Sequence, residues 1–200
     1  MRTIIWIAAL MPIFYMSFRY SLGLGWQMPV IIAKFLNGYL HLHIGGYPAN
    51  FVKFLQDTTA KTALNLFILT LALKPLHSYL KFDLLKYKRL IGLFGFFYVF
   101  LHVIVFIWLK HHFDMGDITK AVSHHLYIIF GLFAFAIILM MAITSIPFLY
   151  RKFHSWHKLF YIAMVFVILH FLLGQKHISF IDIIYVAVIS ALLALKLLKR

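Results

Sequence analysis

The stretch Ser155–Phe171, SWHKLFYIAMVFVILHF, decides how this chain is read. It sets His157 at the edge of an apolar run and His170 deep inside it. The run between them has no charge beyond Lys158 and is rich in Phe, Ile, Val and Leu. With its flanks it is long enough to cross a bilayer as a helix, which needs about 20 apolar residues. An imidazole at that depth must find a partner, because an unsatisfied polar nitrogen in hydrocarbon is costly.

The rest of the chain has the same character. Of its 200 residues 64% are hydrophobic, and its mean hydropathy is +0.94. That composition predicts an all-α integral membrane protein. The short alternating segments of a β-barrel do not appear. Six spans are expected, at about 3–20, 62–80, 89–109, 126–145, 157–173 and 180–198. The first holds one basic residue, no small-residue cleavage site and a central Pro12, so it is expected to remain rather than be removed as a signal peptide. Residues 26–44 are short and are broken by Lys34, Asn37 and Gly38, which predicts an interfacial segment. GGYPAN at 45–50 reads as a turn-forming loop. Without a repeat or a low-complexity linker, residues 1–200 read as one membrane domain.

Charge and missing residue types narrow the function. The chain has no cysteine, which excludes disulfides, thiolate nucleophiles, iron–sulfur clusters and covalent c-type haem attachment. It has no Glu and five Asp, all near the ends of the apolar runs, which argues against an ion pump. The net charge of +14 fits basic residues collected beside spanning helices better than a nucleic-acid surface. Lys74, Lys81, Lys86, Lys88 and Arg89 crowd the second connection. Arg151, Lys152 and Lys158 crowd the fourth, and Lys196, Lys199 and Arg200 the tail. These place connections two and four, and both termini, in the cytoplasm.

Nine of the twelve histidines fall near expected membrane interfaces. His102 and His170 do not. His102 lies 13 residues past Arg89, and His170 lies 13 residues past His157. At 1.5 Å per residue both sit about 20 Å from the cytoplasmic ends of their helices. Two imidazoles at one depth could be joined to other helices by hydrogen bonds, or could serve as axial ligands of one haem iron. Their equal level favours the haem. His157, near the cytoplasmic face, would support a second, inner haem. The matching position of the third span holds Arg89, with Lys88 beside it, and neither ligates iron readily. His77 and His154 are weaker candidates at that level. Thirteen residues also turn an ideal helix by about 220° beyond whole turns, so His157 and His170 would not share one stripe. Arg89, Arg151 and Lys152 suit haem propionates and equally suit cytoplasmic anchoring. Gly92 and Gly95 would admit a flat cofactor or close helix packing.

Four blocks resemble a known family. These are ALMPIFY in the first span, TTAKTALNLFILTLALKPL, YKRLIGLFGFFYVFLH, and AITSIPFLYRKFHSWHKLFYIAMVFVILH. Together they resemble the ferric-reductase-like transmembrane domain, a six-helix bundle carrying b-type haem. Within it they are similar to the MsrQ family, haem-binding membrane subunits of the periplasmic methionine sulfoxide reductase system. The departures are Ala60 for a small loop Gly, Lys74 for Thr before Pro75, His124–His125 for an Arg-Pro-like pair, and residues about 24–44 as an insertion.

The resemblance implies a transmembrane b-type cytochrome of the inner membrane with one or two haems and FMN as a candidate second cofactor. Electrons would pass from a cytosolic flavin reductase or quinol to a periplasmic molybdenum-containing methionine sulfoxide reductase. His102 and His170 would ligate the outer haem and His157 the inner one. The alternatives are a ferric or quinone reductase with the same haem core, and a colourless transporter whose histidines pack or relay protons.

Overall fold

A computed structural model describes residues 2–21, 51–81, 84–175 and 177–198, and every structured element among them is helical. The interfacial segment expected near 26–44 and the loop at 45–50 lie outside the described residues. Helix α1 is Arg2–Ser21, with Pro12 inside it. Proline removes one amide donor from the helix ladder, so α1 lacks one backbone hydrogen bond in its middle. Helix α2, Phe51–Leu80, runs 30 residues and contains Pro75. Helix α3 begins as a tight 3-10 turn, Leu85–Tyr87. It continues as Lys88–Ile104 and ends in a wider π-helical turn, Val105–Lys110.

Helix α4, Met115–His124, is capped by Asp114, whose Oδ1 accepts from the amides of Gly116 at 2.7 Å and Asp117 at 3.2 Å. Helix α5 is Leu126–Ile143. Helix α6, Pro147–Phe153, opens on a proline suited to a first helical turn. A 3-10 turn, His154–Lys158, leads into α7, Leu159–Leu173. Helix α8 is Phe180–Leu198. Its first turn is held by Asp182, which accepts from the amide and the hydroxyl of Ser179 at 2.9 and 2.8 Å.

Among the described residues, three helical stretches are long and apolar enough to cross a membrane: Leu85–Lys110, Leu126–Ile143 and Pro147–Leu173. They coincide with the third, fourth and fifth expected spans. Helix α1 adds a shorter apolar stretch.

The helices pack as two pairs. Helix α2 lies along α3, and α5 lies along α7. Contacts of α5 with α3, and of α8 with α2 and α7, join the pairs. The shared core includes Leu64, Phe67, Tyr98, Phe160, Ala163, Met164 and Ile189. The Phe67 and Phe160 rings meet edge to face, 5.5 Å apart. Gly95 lets α2 and α3 approach, because a Cβ there would run into the Phe67 ring. Close packing is therefore the role of Gly95. The Tyr98 side chain is fully buried, and its hydroxyl donates to the Ala9 carbonyl at 2.5 Å, tying α3 to α1. Large apolar side chains face outward, Phe14 at 70% and Phe180 at 76% exposure. Water would penalise so many, whereas hydrocarbon would solvate them.

Candidate functional site

His102 lies on α3 at the end of its regular α-helical part, just before the π-helical turn. Its Nδ1 is 3.0 Å from the Gln56 carbonyl of α2 and 3.4 Å from Thr59 Oγ1. Thr59 is buried, and its hydroxyl donates to the Leu55 carbonyl at 2.7 Å. A carbonyl can only accept, so Nδ1 of His102 carries the proton and donates to Gln56. His170 repeats the arrangement from α7. Its Nδ1 donates to the Tyr127 carbonyl of α5 at 2.6 Å. In both rings Nε2 keeps its lone pair, the state a metal-ligating imidazole requires.

The two rings converge. Their centres are 6.3 Å apart and their planes cross at 85°. Two imidazoles bound through Nε2 on opposite sides of one metal at roughly 2.0–2.1 Å, each nitrogen about 1.2 Å from its ring centre, place their centres about 6.4–6.6 Å apart. The observed separation suits two axial ligands on one ion. The rings reach toward each other from α3 and α7, helices that pack mainly on α2 and α5 rather than on one another. Among the described residues no three His, Cys, Asp or Glu gather to hold a metal. The geometry thus brings two imidazoles together from two helices.

Gly131 of α5 completes the setting of His170. A Cβ at Gly131 would stand 2.6 Å from Nδ1 and 2.8 Å from Cε1 of that ring. The sequence reading passed over Gly131, Tyr127, Gln56 and Thr59.

His157 stands apart from the pair. It belongs to the 3-10 turn before α7, so the ideal-helix angle between His157 and His170 does not apply. Its Nε2 is 3.5 Å from Thr144 Oγ1, and its ring meets that of Tyr150 edge-on at 5.0 Å. The Arg89 guanidinium lies 5.9 Å from the centre of the same Tyr150 ring. Arg89 thus stands at the level of His157 and reaches it through Tyr150. Arg151 is exposed on α6. Among the described residues no second imidazole makes ring contact with His157.

Residues 58–172 match the model of the ferric reductase like transmembrane component family. The chain belongs to this family. The matched range includes His102, His157 and His170, and membership of a transmembrane family agrees with the three apolar spans. The chain is 30% identical to the protein-methionine-sulfoxide reductase heme-binding subunit MsrQ of Agrobacterium fabrum, over 78% of this chain and 74% of that protein. It is 32% identical to the MsrQ of Herminiimonas arsenicoxydans, over 74% of this chain and 72% of that one. The magnetosome protein MamZ of Magnetospirillum gryphiswaldense is 32% identical over 82% of this chain but only 25% of its own length. No solved structure matches. This member of the ferric reductase-like family is a helical membrane protein.

Proposed function

We propose that the protein is a transmembrane b-type cytochrome that binds one haem between α3 and α7 and carries electrons across the inner membrane. The observation that supports it most is the His102–His170 pair: ring centres 6.3 Å apart, each Nδ1 tied to a helix carbonyl. The relatives named as heme-binding subunits support the same cofactor. When bound, the haem supplies a one-electron carrier whose potential depends on its ligands and its burial. His102 and His170 would hold the haem iron, and the group would supply one-electron transfer there. The carbonyls of Gln56 and Tyr127 keep both Nδ1 atoms protonated and both rings in place. The apolar helix faces around the pair exclude water.

The bundle has six spans in this reading, with α1, α2 and α8 joining the three apolar stretches and both termini in the cytoplasm. His157, Tyr150 and Arg89 lie at the cytoplasmic end, where electrons arrive from a cytosolic flavin reductase, through FMN, or from quinol. Arg89 and Arg151 serve as cytoplasmic cations there, available to carboxylates such as haem propionates. The acceptor is a methionine sulfoxide reductase, in keeping with the names of the relatives, and in this reading it is periplasmic and contains molybdenum. Co-purification tests the acceptor. The protein should retain a tagged periplasmic reductase from its own cell and reduce it; an exchange of electrons with ferric chelates instead would move the function to a ferric reductase.

A further inference from the structure

We propose that Gly131 is a positioning residue that holds the His170 imidazole across the plane of the His102 imidazole. The inference rests on the haem reading above and adds to it how the two ligand planes are set. The His170 ring is held on two sides. Nδ1 donates to the Tyr127 carbonyl at 2.6 Å. The ring also lies against the bare Cα of Gly131, where a Cβ would stand 2.6 Å from Nδ1, 2.8 Å from Cε1 and 3.3 Å from Cγ. Side-chain carbons do not pack that closely, so any other residue at 131 turns or withdraws the ring. Tyr127 and Gly131 are four apart on α5, so one helical turn supplies both the acceptor and the space.

The opposing ring is set independently. His102 is oriented by Gln56 and Thr59 of α2. The two settings together cross the planes at 85°. That angle has an electronic consequence. Each imidazole raises the iron d orbital that lies perpendicular to its own plane. Parallel rings raise the same orbital and separate the pair, which gives a rhombic low-spin ferric signal. Crossed rings raise both orbitals alike and keep them nearly equal, which gives a strongly anisotropic one.

The test is low-temperature electron paramagnetic resonance of the purified ferric protein, with haem per chain measured on the same samples. Gly131→Ala is compared with the natural chain and with Gly92→Ala. Gly92 is the control because a Cβ there meets only the Thr70 methyl, at 4.0 Å. The natural chain and Gly92→Ala should share one strongly anisotropic signal, and Gly131→Ala should turn rhombic or high-spin. A Gly131→Ala signal equal to the natural one overturns the proposal, as does an equal change in Gly92→Ala. A rhombic signal from the natural chain overturns it while leaving the haem in place, whereas a natural chain without haem removes the reading beneath it.

If Gly131→Ala does not accumulate, the His170→Gly background decides. There the missing ring leaves room for a Cβ, and added imidazole should restore the low-spin signal. Combining His170→Gly with Gly131→Ala should raise the imidazole needed several-fold. An unchanged requirement overturns the proposal.

Discussion

His102 and His170 each give the Nδ1 hydrogen to a helix carbonyl, which leaves Nε2 unprotonated in both, and their ring centres lie 6.3 Å apart. If the two act as a pair, neither suffices alone. His102→Ala and His170→Ala should each abolish the same haem absorption, measured as haem per chain after purification; loss in one variant only would break the pairing. Tyr98 makes a different kind of test. Its buried hydroxyl joins α3 to α1 through the Ala9 carbonyl. Tyr98→Phe should therefore lower stability by about 1 kcal/mol, read from thermal unfolding in detergent, with the haem spectrum unchanged. The histidines were legible because a polar ring in an apolar run stands out. Their supports were not. Gln56 and Tyr127 act through backbone carbonyls that every residue has, and Gly131 acts through an atom it lacks. Each lies far from its histidine in sequence, so only the packing of α2 on α3 and α5 on α7 brings them together.

At the scale of elements, hydropathy located most of the helices and misjudged their ends. The expected sixth span coincides with α8, and the expected fourth span starts where α5 starts, at Leu126. Helix α2 begins at Phe51, well before the expected start near 62, because Lys53, Asp57 and Lys61 mask its polar first turns. Helix α4 was read as a connection: ten residues with two lysine-or-aspartate charges of their own give no apolar run. The 3-10 turn at His154–Lys158 was also invisible, and with it the true relation of His157 to His170.

Two outcomes follow at this scale. Gly95→Ala should push the Phe67 ring aside and separate α2 from α3, costing about 1–3 kcal/mol in thermal unfolding. His157→Ala, which alters the 3-10 turn and its contact with Tyr150, should leave the haem content and ferric spectrum set by the outer pair unchanged. A halved haem content would instead establish an inner haem.

The described residues form a set of helices whose outward faces are largely apolar. Composition made the membrane class plain, since 64% hydrophobic residues exceed what a 200-residue soluble domain can bury. The distribution of lysine and arginine leads to the expectation that both termini are cytoplasmic. A reporter active only in the periplasm should stay silent when fused to the C-terminus, and activity there would reverse the orientation. The central claim is that His102 and His170 hold one b-type haem. Its most direct test is the reduced-minus-oxidised spectrum of the purified protein, expressed with ample haem and read together with haem per chain. The account predicts the absorption bands of a low-spin b-type cytochrome at one haem per chain. A colourless protein would contradict it.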